Sequence, residues 1–128
     1  ELQSVIDHNA EIYQEYIKYF SQFDEFNILR YSQQNYSNHQ YAVAQVPANS
    51  RDNLVHHFHE NDILVRRYFY PGCHRLEPYN SDHSYTNVRL PNTENVASKV
   101  LVFPTGYQMN QEGMNRVFDA YTSFVKQK

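Results

Sequence analysis

Three histidines near the middle of the chain are the first residues whose types and spacing could do chemistry. His56, His57 and His59 fall within one predicted helix, and on the helical projection His56 and His59 are neighbours, with Glu60 beside His56. Two imidazoles at this spacing could share a metal ion, but a site also needs a third ligand that is held rigidly. No second cluster with ligand spacing occurs in the sequence. We therefore interpret these histidines as a solvated helix face and predict no metal site.

A cysteine and a histidine are adjacent at Cys73 and His74, which suggests a cysteine nucleophile. Adjacent side chains in an extended segment point to opposite sides, so these two cannot readily pair as nucleophile and base. A base such as His39 or His83 would have to reach Cys73, and nothing in the sequence supports that. There is also no glycine-rich phosphate loop and no Ser/His/Asp signature. The residues predict a binding surface without catalytic residues.

The most informative segment runs from Arg66 to Arg75 and leaves a predicted strand for a turn. Pro71 fixes the backbone angle that the second position of a type II turn requires, and Gly72 tolerates the positive φ of the third position. Tyr70 precedes the proline and is therefore held extended. We expect a type II turn at this point of the chain.

Such a turn would direct His74 and Arg75 away from the end of a strand, where α/β proteins commonly place binding residues. A histidine beside an arginine suits the hydroxyl and phosphate oxygens of a ligand. The alternative is a polar loop with one surface histidine. The pattern by itself favours this second interpretation.

The composition is that of one domain of 128 residues and 15.3 kDa, large enough to bury a core. Eleven basic and fourteen acidic residues give a net charge of −3, which argues against a nucleic-acid partner. No apolar run is long enough for a transmembrane helix, and no secretion leader is visible. The single cysteine excludes an internal disulfide. We expect one soluble domain over residues 1–128.

The first helix carries two apolar stripes at helical spacing. One stripe is formed by Ile6, Ala10, Tyr13, Ile17 and Phe20, and the other by Ile12, Tyr16, Tyr19 and Phe23. One small sheet rarely needs so much apolar surface from one helix. We infer that one stripe packs on the sheet of this domain and the other meets a second partner. A helix set deeply in the core is an equally good interpretation.

The remaining pattern predicts short strands and helices that alternate. Strands are expected at 24–30, 41–46, 63–70 and 101–103, and a long loop is expected at 71–91. One helix is expected at 51–60 after an N-cap at Ser50. Two more helices are expected, one after a cap at Asn92 or Thr93 and the last after a cap at Asn110. This order predicts an α/β (α+β) fold. We expect a two-layer sandwich, a small sheet with helices mainly on one face.

Several short motifs occur in an order that is typical of one enzyme family. They are Asn35–Tyr41, Asn53–Val55 with Asn61–Ile63, Arg66–His74 with Glu77-Pro78-Tyr79, Leu90–Glu94 and Val100–Pro104. On these motifs the chain resembles the C-terminal domain of the DegT/DnrJ/EryC1/StrS family of pyridoxal-phosphate-dependent nucleotide-sugar aminotransferases. The resemblance implies the small C-terminal domain of a fold-type I transferase, and it extends from the first helix to the last.

The resemblance also implies what the chain lacks. In that family a large N-terminal domain carries the lysine that forms the Schiff base, and nothing here is similar to that segment. Lys18, Lys99, Lys126 and Lys128 are expected on helices or at the terminus, so none is given the cofactor role. We therefore expect no cofactor site and no activity in this chain alone. The parent enzyme would use pyridoxal phosphate, act in the cytoplasm as a homodimer, and pack its large domain against this one.

In the family the loop after the strand lies over the mouth of the active site. By motif, the resemblance implies that His74 contacts a hydroxyl or phosphate of the nucleotide-sugar substrate. Tyr70 and Arg75 are further substrate-binding candidates, and Arg67 is a candidate for a structural ion pair instead. The alternative function is a free-standing α/β ligand-binding or interaction module without catalysis.

Overall fold

The computed structural model describes residues 1–32 and 34–127, so Gln33 and Lys128 lie outside the described residues. The helices and strands follow in the order α1 (Leu2–Phe20), β1 (Asn27–Ile28), β2 (Ala42–Gln45), α2 (Ala48–Glu60), α3 (Pro91–Ala97), β3 (Val100–Phe103) and α4 (Gln111–Lys126). Two short 3-10 helices, Cys73–Arg75 and Tyr79–Ser81, lie in the connection between α2 and α3. None of the described helices is both long and apolar enough to cross a membrane.

The strands form an antiparallel sheet in the order β1-β2-β3. Ala44 in β2 lies opposite Ile28 on one side and Leu101 on the other. Side chains alternate along a strand, so Ala42 and Ala44 share one face, and both are fully buried. Buried residues of α1, α2 and α4 belong to the same cluster as that face. The predicted α+β fold, a small sheet with helices mainly on one face, is confirmed.

Both apolar stripes of α1 contribute to the core of this domain. Tyr16 of the second stripe has no exposed surface and donates a hydrogen bond to the Pro104 carbonyl at 2.9 Å. Tyr19 of the same stripe stacks on Phe118 of α4, with 3.9 Å between ring centroids. The inference that this stripe meets a second partner is therefore wrong. The helix is set deeply in the core because α4 covers the side of it that the sheet does not reach.

The predicted strand at 63–70 is reduced to a single antiparallel bridge between Arg66 and Val102. Arg66 N donates to the Val102 carbonyl at 3.0 Å, and Val102 N donates to the Arg66 carbonyl at 2.8 Å. Pairing stops there because the chain turns immediately, as Tyr70 N bonds to the Arg67 carbonyl. The segment thus touches the free edge of β3 at one residue and leaves it.

The predicted type II turn is also wrong, although its residues do form a turn. Gly72 has the expected positive φ of 115°, but the Tyr70–Pro71 peptide is cis. The closing hydrogen bond runs from Gly72 N to the Phe69 carbonyl, so Pro71 occupies the third position of the turn instead of the second. A sequence pattern does not distinguish these two positions of proline.

One predicted helix cap is present in the structure, and two helices begin at other residues than predicted. Asn110 caps α4 as predicted, because its side chain accepts a hydrogen bond from Gly113 N. α2 begins earlier than expected, at Ala48, and Ser50 Oγ donates to the Pro47 carbonyl within its first turn. α3 begins at Pro91, a residue that suits the first helical position because its missing N–H would have no partner there.

Arg51 of α2 is the most unusual core residue, because its charged side chain is only 2% exposed. A guanidinium without hydrogen-bond partners would be costly to bury. Here Nη1 donates to the carbonyls of Ala97 at 2.7 Å and Val100 at 3.0 Å, and Nε donates to Asp52 at 2.7 Å. Arg51 therefore ties α2 to the junction between α3 and β3.

We expect Arg51→Met to lower the free energy of unfolding by about 2–5 kcal/mol, because the two buried carbonyls lose their donor. The matched control is Arg116→Met, since Arg116 is exposed and donates to the Asn61 carbonyl. We expect the control to cost less than about 1 kcal/mol. Urea denaturation measures both values, and equal losses in the two variants would contradict a special role for Arg51.

Candidate functional site

The candidate site is the segment 66–90, which runs from the bridge at Arg66 to the start of α3 and carries all three predicted substrate-binding residues. The structure divides these residues between two places. Tyr70 lies beside α2, whereas His74 and Arg75 lie at the beginning of α3. A carboxylate organises each place, Asp52 in the first and Glu94 in the second.

The ring of Tyr70 lies close to two guanidinium groups. The Arg51 guanidinium is 4.5 Å from the ring centroid and the Arg67 guanidinium 5.4 Å, which are distances for cation–π contact. Asp52 accepts hydrogen bonds from both arginines, at 2.7 Å and 3.2 Å. Arg67 is thus an ion-pair partner, as the sequence suggested. Tyr70 is nevertheless 42% exposed.

Two opposed effects act on Asp52. Partial burial works to raise the pKa of its carboxyl, but the guanidinium groups of Arg51 and Arg67 outweigh this and hold the pKa below its usual range. Asp52 is therefore charged at neutral pH and can keep the two cations close together around Tyr70.

His74 is turned towards the protein, and its side chain is only 6% exposed. Its Nε2 lies 3.2 Å from Glu94, while its Nδ1 is buried and has no hydrogen-bond partner among the described residues. The backbone of Gly72 covers the ring so closely that a Cβ there would lie 2.8 Å from a ring carbon. Only glycine fits at this position, both for this contact and for its positive φ.

Glu94 is the centre of the second place. It accepts hydrogen bonds from Arg89 at 3.0–3.3 Å and from Leu90 N at 3.4 Å, and it lies 3.5 Å from Arg75. The hydrogen bonds from Arg89 and His74 are the largest causes that lower the pKa of Glu94 to about 2. One carboxylate therefore joins the middle and the end of the segment to the first turn of α3.

Sequence reasoning missed the residues that organise the site, namely Arg51, Asp52 and Glu94. Glu94 carried a usable signal, because an acidic residue in the first turn of a helix often bonds to backbone N–H groups there. The sequence around Arg51 and Asp52 contains no such signal, because a charged pair at the start of a helix is ordinarily solvated.

The other residues considered for chemistry are placed apart. His57 Nε2 lies 2.9 Å from the Ala120 carbonyl, His59 Nε2 lies 2.9 Å from the Val65 carbonyl, and His56 pairs with Glu60 at 3.2 Å. The described residues contain no group of three potential metal ligands. Cys73 is exposed, whereas the ring of the adjacent His74 is directed at Glu94. Among the described residues, no histidine, lysine or carboxylate forms a hydrogen bond with the Cys73 thiol.

Three solved structures with the same fold are much longer than this chain. DesI, solved in the presence of its TDP-sugar product, is 28% identical with a TM-score of 0.81, and the match covers 93% of this chain and 31% of DesI. PseC from Helicobacter pylori, an aminotransferase involved in the biosynthesis of pseudoaminic acid, is 12% identical with a TM-score of 0.83, and the match covers 98% of this chain and 34% of PseC. NtdA from Bacillus subtilis, solved with bound cofactor PMP, is 17% identical with a TM-score of 0.79 over 95% of this chain and 28% of NtdA.

The chain thus spans about a third of the length of the solved relatives that it matches. A comparison with curated protein sequences gave no match. The sequence model of the DegT/DnrJ/EryC1/StrS aminotransferase family matches residues 1–122, which is nearly the whole chain. This protein chain belongs to the DegT/DnrJ/EryC1/StrS aminotransferase family.

Proposed function

We propose that the chain is the C-terminal small domain of a pyridoxal-phosphate-dependent enzyme that transfers an amino group to a nucleotide-linked keto sugar. The observation that carries the proposal is the likeness to DesI, which covers 93% of this chain at 28% identity but only 31% of DesI. DesI was solved with a TDP-sugar product, and the family match extends over residues 1–122. The domain would help to form the substrate site and pack against a large domain.

The described residues do not fit pyridoxal phosphate. A Schiff base needs a lysine inside a binding site, whereas Lys18 and Lys126 are exposed on helices α1 and α4. Lys99 is half-buried in the turn before β3, and its carbonyl accepts a hydrogen bond from Val46 N. We propose that the parent enzyme holds the cofactor with residues outside this chain, and that this domain alone is inactive.

We propose that Tyr70, His74 and Arg75 contact the substrate. Tyr70 offers an exposed ring close to two cations, which suits a sugar or a phosphate oxygen near it. Arg75 has a side chain that is 29% exposed and pairs with Glu94 only at 3.5 Å. Contact through His74 would require the backbone of Gly72 to move off the ring. Tyr70 is therefore the residue of the three that is most accessible to a substrate.

Exposed apolar side chains support a partner for this domain. Leu64 is 61% exposed, Phe69 67% and Val96 48%, and all three lie on or next to the segment 66–90. We propose that the large domain of the parent is the main partner and that the parent works as a cytoplasmic homodimer. The other candidate, a free-standing binding module, predicts a monomer with ligand affinity of its own.

Sequencing the gene on the 5′ side of the Glu1 codon tests the assignment directly. We expect an open reading frame that encodes a large domain with a lysine after a predicted strand, because the solved relatives are about three times longer than this chain. A start codon or leader directly before Glu1 would overturn the proposal and favour the free-standing module.

Mixing the chain with pyridoxal phosphate tests where the cofactor is held. We expect only weak absorbance from non-specific aldehyde adducts with exposed lysines, which disappears on dialysis because none of the described lysines lies in a binding site. Free Nα-acetyl-lysine at the same lysine concentration is the control for such adducts. A stoichiometric Schiff-base band that survives dialysis would contradict the proposal.

The low pKa of Glu94 predicts how acid affects the proposed substrate surface. A depressed carboxyl pKa stabilises the folded state fully above the ordinary value of 4.5 and loses that contribution as the pH falls towards 2. We expect Leu90 N–H, which bonds to Glu94, to exchange faster in Glu94→Gln than in the wild type at pH 6. The difference should shrink as the pH falls towards 2, where the carboxyl becomes protonated.

Glu11→Gln is the matched control for this prediction, because Glu11 is an exposed acidic residue in the middle of α1. It should leave the exchange of Leu90 N–H unchanged at every pH. Equal exchange rates at pH 6 in the wild type and in Glu94→Gln would show that Glu94 does not hold the segment.

A further inference from the structure

A pocket of about 340 Å³ lies between the end of α2 and the beginning of α4, beside the connection that follows β3. None of the three proposed substrate-binding residues lines it. Its volume suits a small molecule, since ligand pockets begin at about 300 Å³. Two charged residues, Asp62 and Arg116, line the pocket. Its apolar lining residues include Ile63, Leu64, Met109 and Val117.

The two charged side chains have opposite signs, and both are unpaired. Among the described residues, Asp62 and Arg116 form no ion pair with each other or with any other residue. The Asp62 carboxylate accepts no hydrogen bond there, whereas Nη2 of Arg116 donates one to the Asn61 carbonyl at 3.1 Å. Opposite charges that line one pocket without pairing leave a gap that a molecule with both charges can bridge.

Arg116 is held close to Asp62 by its one hydrogen bond. Asn61, whose carbonyl accepts that bond, is the C-cap of α2 and directly precedes Asp62. A guanidinium has more N–H donors than this contact uses, so the others remain for a ligand. A planar guanidinium with free donors binds a carboxylate in bidentate geometry. We therefore expect the carboxylate end of the ligand at Arg116.

Asp62 occupies a position that does not favour aspartate in the chain alone. Its φ of 58° lies in the left-handed region, where glycine or asparagine usually follows the end of a helix. The end of α2 also carries a partial negative charge, which repels a carboxylate. Residues that break such local rules are expected at functional sites. An ammonium group beside Asp62 would offset the repulsion.

The apolar part of the pocket determines what else the ligand carries. Ile63, Met109 and Val117 are buried, whereas Leu64 is 61% exposed. A hydrocarbon group against these residues would be stabilised by the apolar surface that it removes from water, including that of Leu64. The pocket lining offers no third charged group, so a further charge on the ligand would lose hydration without gaining a partner.

We propose that this pocket binds a free α-amino acid with an apolar side chain, such as leucine. The α-carboxylate binds Arg116, the α-ammonium group binds Asp62, and the side chain packs against Leu64, Met109 and Val117. The inference goes beyond the proposed function and does not depend on it, because the aminotransferase proposal uses none of these residues. Glutamate has a third charge and should therefore bind more weakly than leucine.

The test is NMR titration of the 128-residue chain with leucine, leucinamide, N-acetyl-leucine and glutamate. Leucine should shift the amide signals of Leu64, Thr105 and Gly113 until saturation, because all three residues line the pocket. Leucinamide lacks the carboxylate charge, and N-acetyl-leucine lacks the ammonium charge. Each should bind about tenfold more weakly or worse, because a charge-assisted hydrogen bond is lost. We expect a loss of the same size for glutamate.

Two variants test the assigned contacts. Arg116→Gln and Asp62→Asn should each weaken leucine binding about tenfold or more, because each removes one of the two charges. Asparagine is favoured in the left-handed region at the end of a helix, so Asp62→Asn keeps the fold. Arg30→Gln and Asp119→Asn are the matched controls, because both residues are exposed, lie outside the pocket and undergo the same charge changes. Both controls should leave the affinity unchanged.

The variants also have a readout that a merely structural role would not move. Arg116→Gln should bind leucine and leucinamide equally, because the group that distinguishes a carboxylate from an amide is gone. It should still prefer leucine to N-acetyl-leucine. Asp62→Asn should show the opposite pattern, with equal affinity for leucine and N-acetyl-leucine and a preference for leucine over leucinamide.

Four results would overturn the inference: no saturable shifts with leucine, leucinamide or N-acetyl-leucine binding the wild type as tightly as leucine, unchanged leucine affinity in Arg116→Gln or Asp62→Asn, or glutamate binding as tightly as leucine. The aminotransferase proposal is tested separately by the gene sequence on the 5′ side of the Glu1 codon. An upstream large domain with its lysine would keep that proposal even if leucine does not bind.

Discussion

The burial of the Arg51 guanidinium is the constraint on which much of the structure depends. A charged group can be 2% exposed only if its donors are satisfied, and here the acceptors are backbone carbonyls at Ala97 and Val100. Those carbonyls become available because α3 ends and β3 begins between them. The same guanidinium stacks on Tyr70, so one side chain links a core helix, the sheet and the candidate substrate surface.

Two carboxylates extend this arrangement along the segment 66–90. Asp52 pairs with the cations around Tyr70, and Glu94 gathers the histidine and arginine side chains near α3. The segment has little regular structure, so side-chain ion pairs replace the backbone ladder that would otherwise hold it. The described residues of this surface include no nucleophile paired with a base. This agrees with the proposal that the domain completes a site whose chemistry a longer parent enzyme supplies elsewhere.

The residues of the segment 66–90 occupy two different sides of it. Tyr70 faces the cations of α2, whereas Arg66 and Tyr68 line a pocket at the end of the sheet. One strip of chain therefore presents two different surfaces, and each has an arginine that is fixed by the core or by the sheet edge. Both surfaces are exposed in a chain that spans about a third of the length of its solved relatives.

Local patterns in the sequence were sufficient for the helices, the α+β architecture and the Asn110 cap, because helical periodicity and capping depend on residues a few positions apart. The family motifs also pointed to the segment that carries Tyr70, His74 and Arg75. Tertiary structure alone decided that 63–70 pairs at one residue, that both stripes of α1 contribute to the core, and that His74 turns towards Glu94. These outcomes depend on partners up to about a hundred residues away, such as Tyr19 with Phe118, and no local spacing encodes them.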